Sequence, residues 1–228
     1  MQVTTVRNKP KSFAWSYSKL KNFESCPKRH WHLDVARDIK EEEGEALLWG
    51  NAVHAALAKR VADGVELPKP MKEYEKWAEL ITSGGNGTIL VEQKLAIRKD
   101  FSGCSWFADD AWYRGIGDVI KIVGQVALII DYKTGKILED GSQLALMAAC
   151  VFAHHPEVQK VRAEFVWLKE DATTRADFSR DDMARVWKSL WPRIESLEHA
   201  HNTLTYPAKP GALCKRWCPV NVCPHHGE

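Results

Sequence analysis

The sequence predicts an α/β (α+β) fold with a central mixed β-sheet flanked by helices. Three observations lead there. Helical periodicity dominates the first eighty or so residues. β-rich runs then cluster between residues 88 and 178, and a helix over 140–154 crosses between them. Helices that lead, strands that cluster and one crossover describe a layered domain with a mixed sheet.

In chain order, residues 16–34 read as a helix opened by Ser16 or Ser18 and carrying Leu20, Phe23 and Trp31. Acidic residues at 41–45 break it. An alanine-rich helix follows over 46–62 and ends at Asp63-Gly64. Pro68 and Pro70 mark a turn before a short helix at 71–81. Ser83 to Gly87, rich in glycine, reads as a loop. Residues 88–97 read as a strand. Residues 112–123 and 126–133 are two further strands, with Gly124-Gln125 between them as a two-residue hairpin turn. The helix at 140–154 is amphipathic through Leu144, Met147, Ala148 and Val151. Strands follow at 161–168 and 173–178. Ser179 to Asp182 form a capping box that opens a helix to about Leu204. Pro207, Pro210 and Gly211 then begin an irregular, cysteine-rich tail. The chain reads as one domain over 1–228, with 205–228 as its Cys-rich appendage.

The 228 residues are 45% hydrophobic and 27% charged, as in an ordinary globular protein. No apolar run approaches the ~20 residues that span a bilayer, and the first residues lack the apolar stretch of an export signal. A cytoplasmic protein without membrane contact is the expectation, in a bacterium or, for a viral protein, in its host. Net charge is +2, yet residues 1–40 hold nine Lys/Arg against three acids. Such a basic arm attracts polyanions, or serves only solubility. There are six cysteines. Disulfides are not expected without export, and three cysteines within ten residues favour a metal.

The hairpin carries the chemistry. With Gly124-Gln125 as its turn, Val123 faces Val126 and Asp118 faces Asp131. Opposed side chains share a sheet face about 5 Å apart, and Lys133, two residues on, shares it too. Two facing carboxylates repel unless one is protonated or a cation sits between them. Magnesium or manganese takes such oxygens, and the Tyr132 carbonyl is a further candidate oxygen. With a lysine alongside, the set suits phosphodiester hydrolysis. The competing reading is a plain salt bridge among Asp118, Asp131 and Lys133.

These residues resemble a known family. Gly115-Ile-Gly-Asp118 and Asp131-Tyr-Lys-Thr-Gly135 are similar to the core motif of RecB-like PD-(D/E)xK nucleases, which have a restriction-endonuclease-like fold. Ser16 to Pro27 resembles that branch's opening helix. Gly50-Asn-Ala-Val-His54 resembles its G-x-x-x-H helix, and Gln143 to Met147 its Q-x-x-x-Y helix. The resemblance covers roughly residues 16–150 and the tail. It implies His54, Asp118, Asp131 and the Tyr132 carbonyl as ligands of Mg²⁺ or Mn²⁺, and Lys133 as the residue serving the water. Gln143 would contact DNA or brace the site. Met147 stands where the motif has tyrosine. Glu92 either helps hold water at the metal or faces solvent.

The tail spacing Cys214, Cys218, Cys223 resembles that of the AddB and CRISPR-adaptation nucleases, with the middle cysteine shifted by one residue. There, three tail cysteines and one from the opening helix hold a [4Fe–4S] cluster. The resemblance implies Cys26, Cys214, Cys218 and Cys223 as its ligands. Zinc would accept the same four, or three with His225 or His226; unliganded thiols are the third reading. Trp217 either stacks on a base or covers the cluster. The expected activity is that of a DNA exonuclease acting on single strands or duplex ends, alongside recombination, repair or replication proteins. A non-catalytic nucleic-acid-binding module and an RNA nuclease are the alternatives.

Overall fold

A computed structural model describes residues 13–83, 85–137 and 140–228. Arg7, Lys9 and Lys11 of the basic arm lie outside the described residues.

Six strands form one mixed sheet: β1 (Thr88–Ile97), β2 (Gly103–Cys104), β3 (Tyr113–Val123), β4 (Val126–Lys133), β5 (Lys160–Trp167) and β6 (Ala172–Ser179). Their spatial order is β2-β1-β3-β4-β5-β6. Neighbours run antiparallel except β4 and β5, which are parallel. A parallel pair needs a long crossover, and the helix at Ser142–His154 supplies it. The hairpin turn is as expected: Val123 pairs with Val126, and Gly124 takes the positive φ (56°) that a side chain would resist.

Among the described residues, five further α-helices surround the sheet. They are α1 (Tyr17–Ser25), α2 (Pro27–His30), α3 (Glu45–Asp63), α4 (Glu75–Thr82) and α6 (Met183–Thr203), with the crossover as α5. Side-chain alternation sorts β3 and β4 between two cores. Ile120, Ile122, Ala127 and Ile129 pack with α5 and α6, whereas Val119, Ile130 and Tyr132 pack with α3 and α4. Two layers of helix thus cover the two faces.

Three sequence expectations change. The helix expected over 16–34 breaks at Cys26, which is extended (φ −160°, ψ 113°) before Pro27. Proline clashes with a helical predecessor and forces it out of line; α2 and a wide helical turn at Trp31–Ala36 then continue the chain. The helix expected at 71–81 divides into a tight turn at Lys69–Tyr74 and α4. Finally, α5 is not amphipathic: every residue from Leu144 to Phe152 is buried. It packs against the sheet on one side and against α1 and α6 on the other. The capping box does form, with Ser179 N–H and Oγ both donating to Asp182 Oδ2. Among the described residues, no helix is long and apolar enough to cross a membrane.

Candidate active site

The site lies where the central strands part. β3 and β4 pair from Val123↔Val126 to Val119↔Ile130, and the ladder stops one step before Asp118 and Asp131. Asp118 fills the opening with its side chain: Oδ2 accepts the Tyr132 N–H at 2.7 Å. The carboxylate takes the place of a backbone carbonyl. On the other flank, β1 pairs with β3 at Val91↔Val119 and Gln93↔Gly117 but skips Glu92 opposite Asp118. Glu92 has φ +49°, a left-handed conformation that costs a non-glycine residue energy inside a strand. Glu92, Asp118 and Asp131 therefore sit at one level on three adjacent strands.

Helix α3 brings His54 to this level. Gly50, one turn earlier, sets how near the helix can come, because a Cβ there would lie 3.2 Å from Thr134 Oγ1. His54 Nδ1 is 3.2 Å from Asp118 Oδ1. That hydrogen bond raises the imidazole pKa against the opposing effect of burial. His54, Glu92 and Asp118 form the compact donor group, each offering a ligand atom within 4.8 Å of the others. Burial, then the charge of Asp118, raises the Glu92 pKa. Glu92 thus joins the donor group while remaining exposed to solvent in the groove above it. Its backbone conformation has no signature in the sequence.

Asp131, which the hairpin register sets opposite Asp118, lies beside this group and not within it. It is 4% exposed and makes an ion pair with Lys133. Gln143, from the first turn of α5, ties the two together. Its Nε2 donates to Asp131 Oδ1 at 2.7 Å, and its Oε1 accepts from Lys133 Nζ at 3.0 Å. In this structure Gln143 braces the site. Burial, then the charge of Asp118, pushes the Asp131 carboxyl up to about 6. Asp131 Oδ2 is sealed from solvent and, apart from the ammonium beside it, has no aligned donor. An incoming cation would meet a carboxylate oxygen not fully committed elsewhere. The Lys133 carbonyl accepts from Leu168 on the β5 side. One residue back, Tyr132 turns its N–H toward β3, and strand alternation puts its carbonyl on that side too.

Met147, at the motif's tyrosine position, is a core residue. It is 2% exposed, and a Cβ at Gly115 or Gly117 would lie 2.8 Å or 3.1 Å from its side chain. The two glycines before Asp118 are explained by this close approach. A groove of about 550 Å³ opens over His54 and Glu92, walled by Ala46, Leu47, Gly50 and Asn51 of α3 and by Thr134.

Sequence reasoning missed the brace behind the site. Arg193 on α6 donates to Glu24 at the end of α1 and, at 2.8 Å, to Ser142 Oγ beside Gln143. Lys209 Nζ donates to the Glu24 carbonyl, and its N–H lies 3.4 Å from Cys26 Sγ. Residues so far apart in the chain carry no local signal of this contact. Cys26, Cys214, Cys218 and Cys223 line one cavity of about 220 Å³, with His225 at its wall. Trp217 does not cover that cavity: it is 73% exposed and absent from its lining. The neighbouring backbone turns, Trp217 N–H and Cys218 N–H to Leu213 O, aim it outward.

Carboxylates at the split of a mixed sheet, flanked by a lysine and a histidine, are the equipment of a hydrolytic nuclease. The chain belongs to the PD-(D/E)XK nuclease superfamily, whose profile matches residues 14–93 and 107–224. Members of that superfamily use divalent metal ions, in keeping with the donor group of His54, Glu92 and Asp118. The fold is similar to that of a "Putative exonuclease" from Eubacterium rectale, at 13% identity and a TM-score of 0.57, over 97% of this chain and 94% of that one. The structure of SSO0001 aligns over 97% of this chain and 89% of that one, at 13% identity and a TM-score of 0.47. No curated protein matches the chain.

Proposed function

We propose that this chain is a divalent-metal-dependent DNA exonuclease of the RecB-like branch. The observation that carries the reading is the row of Glu92, Asp118 and Asp131 across three strands, with His54 on one flank and Lys133 on the other. Magnesium or manganese, when bound, would polarise phosphoryl oxygens and make water more acidic. His54, Asp118, Asp131 and the Tyr132 carbonyl would hold the ion, with Glu92 completing the set. The fit rests on the compact donor group and on the buried Asp131 oxygen whose partner among the described residues is the Lys133 ammonium.

The remaining roles belong to the chain's own groups. The Tyr132 N–H holds one oxygen of Asp118 in place and leaves the other toward His54. Gln143 fixes Lys133, whose ammonium would orient the attacking water and offset charge growing on the phosphate. The groove over His54 and Glu92 would receive the strand. Exonuclease action draws support from the motif resemblance and from the exonuclease name borne by the similar Eubacterium rectale structure.

The four cysteines would hold a [4Fe–4S] cluster. They converge on one cavity. The motif resemblance supports iron–sulfur over zinc, which would accept the same four thiolates.

The test is cleavage of end-labelled single- and double-stranded DNA, and of RNA, with Mn²⁺. Stepwise shortening of DNA from an end is expected, with none in chelator. Binding without cleavage by the wild-type chain would refute the enzyme reading. Equal cleavage of RNA would refute the DNA assignment.

A further inference from the structure

The outward-facing end of the Cys-rich tail has a composition that the cluster does not need. Trp217 is 73% exposed, Val222 68% and Leu213 43%. The two residues before the tryptophan are cationic and exposed, Lys215 and Arg216. Among the described residues neither makes an ion pair or a side-chain hydrogen bond. The one acid of the tail, Glu228, is taken up by His225 at 2.9 Å. A large indole with a bare face beside two free cations is poorly explained by packing, since burying it would be favourable. It is the combination that binds unpaired nucleic acid: cations follow the phosphates and an aromatic face takes a base.

The tail is also linked to the active site through the fold. Lys21 on α1 pairs with Asp140, just before the α5 turn that carries Gln143. Cys26 is five residues further along, about 8 Å at 1.5 Å per residue. Cys26 and Cys218, the residue after Trp217, line the same cavity. The catalytic end of α5 and the tail are therefore joined through one short helix.

We infer that Trp217, Lys215 and Arg216 form a second nucleic-acid contact, with Trp217 stacking on an unpaired base of a single-stranded segment and the two cations on its phosphates. The inference rests on the nuclease reading for its ligand class but not on the active-site residues. The stacking requires a base out of its helix. It acts on single strands and leaves blunt duplex binding nearly unchanged.

The experiment uses the full chain carrying Asp131→Asn, so that the probe survives, and fluorescence anisotropy with labelled (dT)20 and with a blunt duplex. Trp217→Ala is expected to weaken (dT)20 binding about tenfold, with the duplex changed less than about threefold. Trp217→Phe, which keeps an aromatic face, should retain most of the affinity. Replacing Lys215 and Arg216 by alanine together should flatten the slope of log affinity against log salt by about 1.4. Unchanged (dT)20 affinity in Trp217→Ala overturns the inference, and so assigns the bare indole to something other than nucleic acid, such as a protein partner. Equal losses on both probes, or a Phe variant as weak as the Ala variant while the tail's visible absorbance and the melting temperature stay native, overturn it as well. If the wild-type chain cleaves DNA while Trp217→Ala binds normally, this inference alone fails. If the wild-type chain neither binds nor cleaves, both readings fail.

Discussion

The parted strands and the cysteine tail are both places where polar or reactive groups converge, but they are held in opposite ways. At the strands, regular structure does the positioning. Asp118 takes a ladder hydrogen bond, Gln143 clamps Asp131 to Lys133, and Gly50 lets α3 close over Thr134. At the tail, short turns surround a cavity, and the backbone from Pro207 onward is largely irregular. The first arrangement is complete without its ion, at a cost in crowded carboxylates. The second has no such ladder, and the cluster proposed for its four cysteines would hold it together. Removing a side chain at the strands should therefore spare the fold and end the chemistry, whereas removing one at the tail should do more harm to the fold.

The largest expected effect is at Asp131. Asp131→Asn should lower cleavage by about 10³-fold or more, read from initial rates with Mn²⁺. The same variant should melt higher than wild type in chelator at pH 8. The sign follows from the raised carboxyl, pushed up to about 6 by burial and by Asp118. A carboxyl raised in the fold is disfavoured as pH climbs through that value, so its removal stabilises above it and has little effect near pH 4. A variant that melts lower at pH 8 would contradict the account of a crowded carboxylate pair.

Next is Cys26→Ser. It removes one of the four sulfurs and is expected to cost about 3 kcal/mol or more, a fall of about 10 °C in melting temperature. Loss of visible absorbance and early protease cutting after residue 205 should accompany it. A wild-type melting curve would mean that the tail is held without a metal.

Arg193→Ala tests the link between the two regions. It removes the bonds to Glu24 and to Ser142 at once. About 2 kcal/mol is expected, near 5 °C, with cleavage reduced because Ser142 adjoins Gln143. If activity is untouched while stability falls, the brace serves the fold alone.

The smallest effect concerns Asp140. Burial raises its pKa, but bonds from Ser142, Tyr17 and Lys21 outweigh that and hold it below the ordinary carboxylate value. A depressed carboxyl stabilises above its ordinary value, about 3.8, and loses that contribution as pH falls below it. Asp140→Asn should therefore lower the melting temperature by a few degrees at pH 7 and by less at pH 3. A constant difference across that range would assign the effect to packing.

Much of this molecule is determined locally and was legible in the residues. Alternation in β3 and β4, the Gly124 turn, the Ser179 capping box and the Asp63-Gly64 stop each depend on a few neighbouring positions, so their spacing sufficed. The hairpin register set Asp118 and Asp131 opposite each other for the same reason. The break at Cys26 was missed, although the proline that follows it is a local signal. What only the tertiary structure decided are the contacts between distant segments. Whether the ladder continues or opens at Asp118, whether Glu92 turns into the donor group with a positive φ, and whether Gln143 clamps Asp131 all depend on competition among three strands and two helices. The burial of α5 on every side and the exposure of Trp217 are decided in the same way. Packing geometry sums over the whole chain, and no local pattern contains that sum.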